Sequence, residues 1–142
     1  MDKVTAARRS VNMSRIRSRD TKPEMVVRRL LHAAGYRYRL HAKDLPGKPD
    51  VVFRARRKAI MIHGCFWHQH EEVKCLDGRR PKSNTAYWND KLQKNVERDL
   101  RHVSQLETSG WKVLVVWECE MKSESELLMR LRTFLGDPRS VR

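Results

Sequence analysis

Apolar and polar positions alternate along the chain with periods that predict three helices and four strands. The first helix begins at Thr21, where Thr21 and Glu24 form a capping box that by itself accounts for Glu24, and it ends at Gly35. A long second helix is predicted over 84–108, and a third begins at Ser123. The helices therefore lie near the start, in the middle and at the end of the sequence.

The apolar segments between these helices are short enough to be strands. Residues 36–40 alternate rings with arginines, and 50–53 and 59–62 are short apolar runs on either side of a polar break. The continuous apolar run over 111–117 predicts a buried central strand. This order of elements predicts an α/β sandwich with a mixed sheet.

A hairpin formed by 50–53 and 59–62 would place Asp50 opposite Ile62 and close to His63. A carboxylate at such a strand edge, preceded by a helix with an acidic residue, is the layout of metal-dependent nucleases, in which Mg²⁺ stabilises charge on the phosphate. An aspartate that follows a proline can also cap its own turn. Both interpretations of Asp50 stay open at this point.

The chain has 142 residues, enough for one compact domain. Its formal net charge of +14 indicates a polyanionic partner, with nucleic acid as the first hypothesis. Residues 1–20 are predicted to form a basic N-terminal arm, 21–136 the folded domain, and 137–142 a C-terminal tail. The sequence contains neither a run of ~18 apolar residues nor a signal-peptide pattern, so we expect a cytoplasmic protein.

Cysteine and histidine cluster in one segment. Cys65, His70 and Cys75 follow a C-x4-H-x4-C spacing, and the third cysteine, Cys119, comes just after the last predicted strand. Three thiolates and one imidazole make a closed tetrahedral set, which predicts a structural zinc site. A cysteine-lined core without a metal is the alternative.

The other side chains of this segment suit chemistry on DNA. Because an imidazole titrates near pH ~6.5, His68 can act as general base or acid, with His63 orienting the water or the phosphate. Either histidine could instead replace His70 as a zinc ligand. Phe66 and Trp67 are adjacent in a predicted loop, where they could be inserted between the base steps of DNA or could cover the zinc.

Motifs distributed over almost the whole chain resemble the bacterial very-short-patch-repair (Vsr) endonucleases. They are SVNM (10–13), RDT (19–21), LPGKPD (45–50), HGCFWH (63–68), NVERD (95–99) and VVWEC (115–119). The resemblance implies the PD-(D/E)XK restriction-endonuclease fold, a three-layer sandwich with a mixed sheet and a structural zinc. It also implies an enzyme that nicks DNA on the 5′ side of the thymine in T:G mismatches, which arise from deamination of 5-methylcytosine.

The same resemblance implies roles for individual residues of the active site. Asp50 is expected to bind magnesium and His68 to act as the catalytic base, while His63 and Glu24 support the active site. Ile62 occupies a position where a threonine is expected. Its backbone carbonyl could still bind the magnesium, but any role of a hydroxyl group is lost.

The resemblance extends to zinc and DNA binding. The implied zinc ligands are Cys65, His70, Cys75 and Cys119. The residues expected at the DNA are Met13, Phe66 and Trp67, inserted beside the mismatch, and Trp88 on the DNA-facing surface. The expected substrate is double-stranded DNA with a T:G mismatch, in a bacterial cytoplasm and associated with the nucleoid. A monomer suits such an asymmetric lesion, and contact with mismatch-repair proteins such as MutL is implied by the family alone.

Two other functions stay open. One is a restriction-type or resolvase-type nuclease of the same fold that cuts intact or branched DNA. The other is a catalytically silent zinc module that binds damaged DNA. Magnesium-dependent cleavage would exclude the silent module, and a requirement for a mismatch would exclude the restriction-type enzyme.

Overall fold

A computed structural model of the chain describes residues 21–65 and 84–139. The three predicted helices and four predicted strands are confirmed within these ranges. In chain order they are α1 (Lys22–Ala33), β1 (Arg39–Leu40), β2 (Val51–Phe53), β3 (Lys58–His63), α2 (Thr85–Thr108), β4 (Lys112–Trp117) and α3 (Glu124–Leu135), with a 3-10 helix (Glu118–Lys122) between β4 and α3.

The four described strands form one sheet in the order β1-β2-β3-β4. The first three are antiparallel neighbours and β4 is parallel to β3, which confirms the predicted mixed sheet. Among the described residues β4 is an edge strand, so for the described sheet the prediction of a central strand is wrong, and within β4 Val116 alone is fully buried. A continuous apolar run is typical of a parallel strand covered by helices, and it does not report how many strands flank it.

One face of the sheet packs against α1 and α3. Val51 and Ile60 lie opposite each other in β2 and β3, and they share the larger core cluster with Leu31 of α1 and Leu127 of α3. Burial of each such side chain contributes about 1.5–3 kcal/mol relative to exposure. This cluster therefore fixes both helices on one side of the sheet.

Alternate residues of the same strands face the other way. Val52 and Ala59 belong to a second, smaller cluster. A Cβ atom placed on Gly47 would lie 2.8 Å from Cβ of His102 in α2 and 2.9 Å from Cε of Met61 in β3. Helix α2 therefore lies on the second face, and the domain has three layers of helix, sheet and helix.

Strand β1 is shorter than the predicted 36–40. The ladder to β2 includes just Arg39 and Leu40, whereas Tyr36 is 1% exposed and belongs to the larger core cluster. Its hydroxyl donates a hydrogen bond to the carbonyl of Gly136, and its ring meets Phe53 edge-on at 6.3 Å. Tyr36 is thus anchored by its side chain before the chain enters the sheet.

The predicted helix starts agree with the structure in position but differ in their capping bonds. Thr21 accepts a hydrogen bond from the Glu24 amide through Oγ1 at 3.5 Å, as a capping residue does. Ser123 and Asn84 immediately precede α3 and α2, yet neither side chain makes a capping bond. The positions of the helix starts were therefore readable from sequence, and the bonds at them were not.

Within residues 21–65 and 84–139, no helix is both long enough and apolar enough to cross a membrane. The described fold ends shortly after α3, where Asp137 still accepts a hydrogen bond from Arg56 through its backbone carbonyl. The predicted arm at 1–20 lies outside the described residues. The domain limits therefore stay predictions.

Candidate active site

Asp50 immediately precedes β2 and is held by the neighbouring strand. Its Oδ2 accepts a hydrogen bond from the backbone amide of Ile62 at 2.8 Å. The register pairs Val51 with Ile60, so Asp50 faces Met61, one residue from the predicted partner. The predicted approach of Asp50 to the end of β3 is confirmed, because the carboxylate reaches diagonally across the hairpin.

Glu24 lies in the first turn of α1 and is 2% exposed. Its Oε2 accepts from Nη1 of Arg28 at 3.3 Å, and its two oxygens lie 3.0 and 3.1 Å from Nε2 of His41. The capping box explains its amide but not its carboxylate, so the local interpretation of Glu24 is incomplete. A buried carboxylate needs hydrogen-bonding partners, and Glu24 has Arg28 in the same helix and His41 after β1.

His41 was not identified as a site residue from the sequence. It follows β1, its amide donates to the carbonyl of Asp50 at 3.0 Å, and its φ is 48°. This left-handed backbone is uncommon for a residue with a side chain, although histidine is enriched there. Pairing the predicted strand 36–40 with the strand that starts at Asp50, across the LPGKP turn, could have placed His41 beside Asp50.

Glu24, His41 and Asp50 converge from three elements of the fold. One ligand atom from each lies within 4.8 Å of the other two. Carboxylate oxygens are the ligands that Mg²⁺ prefers, and it is usually held by one or two of them together with water. The two carboxylates therefore fit a divalent cation at this edge of the sheet.

Two more residues of the predicted catalytic group, Ile62 and His63, are described and lie at the end of β3. The side chain of Ile62 packs against the larger core cluster, which leaves its backbone as the part that faces Asp50. His63 is 6% exposed, and its ring meets that of Trp117 edge-on at 5.2 Å. The parallel register places His63 directly opposite Trp117, so the ends of β3 and β4 are joined at the site.

The two predicted zinc ligands within the described residues share one end of the sheet. Cys65 is buried two residues after the end of β3, and Cys119 is half-buried two residues after the end of β4. Because β3 and β4 are parallel and in register at His63 and Trp117, both thiols lie beyond the same sheet edge. Thiolates from two adjacent strand ends suit the donor set of a structural zinc site.

Several predicted site residues lie outside the described residues. They are Met13, Phe66, Trp67, His68, His70 and Cys75. Trp88 is described, in the first turn of α2, where it is half-buried and its ring meets Tyr87 edge-on at 5.1 Å. The DNA-facing position of Trp88 stays a prediction.

Comparisons with known proteins show to which family the chain belongs. The family model for the DNA mismatch endonuclease Vsr matches residues 1–74. The type II nicking enzyme V.XorIIP of Xanthomonas oryzae pv. oryzae is 48% identical over 137 residues, 96% of this chain and 98% of that protein. The DNA mismatch endonuclease Vsr of Escherichia coli is 43% identical over 126 residues, 89% of this chain and 77% of that protein. The chain therefore belongs to the Vsr family of DNA mismatch endonucleases.

Proposed function

We propose that this chain is a magnesium-dependent DNA endonuclease that nicks one strand on the 5′ side of the thymine in a T:G mismatch. The observation that carries the proposal is the convergence of the Asp50 and Glu24 carboxylates at a strand edge, in a chain that belongs to the Vsr family. The three layers around a mixed sheet support assignment to the PD-(D/E)XK fold. Contact with MutL and a monomeric state stay predictions.

The proposed mechanism divides the work among the residues of the site. Asp50 and Glu24, with the backbone carbonyl of Ile62, would hold Mg²⁺, which when bound stabilises the negative charge that develops on the phosphate. His68 accepts the proton of the attacking water. His63, whose ring packs against Trp117, fixes the end of β3 beside Asp50. The hydrogen bond from the Ile62 amide orients the Asp50 carboxylate before substrate binds.

The proposed zinc site has a structural role. The common sheet edge of Cys65 and Cys119 supports a metal held by these thiolates together with His70 and Cys75. One zinc per chain is expected by elemental analysis, and Cys119→Ser should lower stability sharply, because a structural site contributes its binding energy to folding. Folded, active protein without zinc would contradict this assignment.

Selectivity for a mismatch is proposed to come from Phe66, Trp67 and Met13. Apolar side chains inserted between base steps unstack and kink DNA at a cost of a few kcal/mol. This distortion costs less at a mismatch, where pairing is already weakened. Trp67→Ala should therefore retain zinc and fold but lose its preference for mismatched over matched duplex at fixed salt.

The test is strand-resolved cleavage of two duplexes that differ only in T:G against T:A. Each strand is end-labelled in turn, and Mg²⁺ is withheld rather than chelated, so that any zinc stays bound. The expected product is a single nick 5′ of the mismatched thymine that requires Mg²⁺ and leaves the guanine strand intact. Double-strand breaks or equal nicking of the T:A duplex would favour a restriction-type enzyme, and binding without cleavage would favour a silent DNA-binding module.

A further inference from the structure

We propose that His41 is a direct metal ligand of the active site, and that it makes this site select a divalent transition-metal ion of the Mn²⁺ class over Mg²⁺. The inference deepens the proposed magnesium site and rests on it. The observation behind it is that one ring nitrogen of His41 and one oxygen each of Glu24 and Asp50 lie within 4.8 Å of one another, and that Nε2 is the nitrogen that contacts Glu24. Ligands about 2.1 Å from one ion lie at most about 4.2 Å apart, so only small movements would complete the set.

The backbone of His41 is tied to that of Asp50. The His41 amide donates to the Asp50 carbonyl at 3.0 Å, and the next rung, from Ala42 to the carbonyl of Pro49, is 3.2 Å long. These two hydrogen bonds hold His41 beside Asp50 as an extension of the antiparallel pair of β1 and β2. The φ of 48° at His41 is a conformation that histidine adopts at moderate cost, and it orients the ring toward α1.

Glu24 completes the set from the other side. It is buried in the first turn of α1, and its carboxylate lies 3.0 and 3.1 Å from Nε2 of His41. Arg28 pairs with the same carboxylate at 3.3 Å. On metal binding, Nε2 would exchange its hydrogen bonds with Glu24 for a bond to the ion, and the neutral ring would carry its one proton on Nδ1, while Arg28 keeps the Glu24 carboxylate in position.

The chemistry of the donors decides which ions benefit. Carboxylates suit Mg²⁺ and Mn²⁺ alike, whereas an imidazole nitrogen strengthens binding of transition metals and adds little for Mg²⁺. A set of two carboxylates and one imidazole therefore shifts the preference of the site toward Mn²⁺. If His41 merely positioned Glu24 by hydrogen bonding, its loss would weaken both ions equally.

The experiment measures Mn²⁺ binding to the full zinc-loaded chain without DNA. Nitrogen hyperfine coupling to bound Mn²⁺ is recorded by pulsed electron paramagnetic resonance, and affinities for Mn²⁺ and Mg²⁺ by titration and competition. His41→Asn is the main variant, because asparagine also tolerates the left-handed backbone. His41→Gln is the second variant in case the first does not fold, and His32→Asn, at an exposed position in α1, is the matched control.

The wild-type chain and His32→Asn are expected to show nitrogen coupling. His41→Asn should lose it and bind Mn²⁺ at least about tenfold more weakly, with Mg²⁺ affinity changed much less. Absence of coupling in the wild-type chain, coupling that survives both His41 variants, or equal loss of both ions would each overturn the proposal. Because no DNA is present, a chain that coordinates Mn²⁺ through His41 but fails to nick T:G duplex would refute the proposed function alone.

Discussion

At one end of the β2–β3 hairpin, ionisable side chains converge on one another, whereas at the other end cationic side chains donate hydrogen bonds to backbone carbonyls. Glu24, His41 and Asp50 form the first group. At the opposite end, Arg56 donates to the carbonyl of Leu135 at 2.7 Å, and Lys58 donates to that of Phe134 at 2.6 Å. We call the end with Glu24, His41 and Asp50 the carboxylate end of the hairpin, and the end with Arg56 and Lys58 the carbonyl end.

At the carbonyl end, side chains of the hairpin supply hydrogen bonds to backbone carbonyls at the end of α3. The last turn of a helix leaves carbonyls without intrahelical partners, and cationic side chains supply the missing donors. Arg56 and Lys58 do so for the end of α3, and Arg56 also reaches the carbonyl of Asp137 at 3.0 Å. Stability is the evident result of this arrangement.

The carboxylate end is arranged differently. Two carboxylates lie close together there, and like charges at such distances oppose each other unless a cation joins them. The converging oxygen and nitrogen atoms suit a bound cation, so we expect this group to serve activity more than stability. The comparison predicts that substitutions at the carboxylate end change activity, and that those at the carbonyl end change stability.

The largest effect is expected from Asp50→Asn. The amide oxygen can still accept the hydrogen bond from the Ile62 amide, so the fold should stay intact. Loss of a charged metal ligand should lower the rate of nicking by about 10³-fold, equivalent to ~4 kcal/mol. The control is Asp44→Asn, an exposed carboxylate paired with Arg54 at 2.7 Å, which should nick at the wild-type rate. Equal rates for the two variants would remove Asp50 from the active site.

A second comparison uses two glycines, Gly47 near the carboxylate end and Gly136 near the carbonyl end. Gly47 has a φ of 74° and precedes Asp50 in the turn, and Gly136 has a φ of 81° just after α3. An added Cβ would meet His102 at 2.8 Å in the first case and nothing within 4 Å in the second. Backbone strain of about 1–3 kcal/mol applies to both, because at φ 81° and ψ −161° Gly136 has a conformation that glycine alone normally adopts, and overpacking of about 1–3 kcal/mol applies to Gly47 alone.

Gly47→Ala should therefore lower the free energy of unfolding by clearly more than Gly136→Ala. Urea denaturation of both variants measures the difference. Because Gly47 lies in the turn that leads to Asp50, we also expect weaker nicking from Gly47→Ala and none of this loss from Gly136→Ala. Equal destabilisation of the two would show that α2 can move away from the turn without cost.

At the carboxylate end, the contact made by Asp50 could be predicted from the sequence, but the contacts made by Glu24 could not. The hairpin of β2 and β3 is short and its polar break is obvious, so the approach of Asp50 to Ile62 could be predicted from local patterns alone. Glu24 had a sufficient local explanation as part of a capping box, which concealed its contacts with Arg28 and His41. Local patterns report local bonds, and the carboxylate of Glu24 makes tertiary ones.

His41 and the position of β4 were not predicted, for a related reason. The contribution of His41 depends on the pairing of β1 with β2, which the turn between them indicates, and on a left-handed backbone, which local patterns do not show. The apolar run in β4 reports cover by helices but not which strands lie beside it. Composition and periodicity thus identified the elements, and pairing decided which side chains meet.

The third prediction tests the carbonyl end. Lys58→Met removes the donor to the Phe134 carbonyl but keeps an apolar stem against the Phe134 ring, so the loss should be about 1 kcal/mol. Burial is the main cause that lowers the pKa of Lys58, and the cost of burying its charge partly offsets the lost bond. Lys112→Met, exposed and opposite Lys58 in β4, is the control. Nicking should be unchanged in both, and a loss of nicking in Lys58→Met would contradict the division between the two ends.

The smallest effect concerns pH and the contact between α2 and the turn at Gly47. Burial lowers the pKa of His102 below its ordinary 6.5, and Arg98 and Arg101 lower it further. The folded chain therefore binds a proton at His102 less readily than the unfolded chain, so stability is full above about pH 6.5 and falls as the pH decreases through that value. His102→Gln should make the stability of the protein less dependent on pH between about 7 and 5.5, by at most one proton per molecule. Urea denaturation of the wild-type chain and of His102→Gln at several pH values measures both slopes, and an unchanged slope in His102→Gln would mean that α2 leaves this histidine open to solvent.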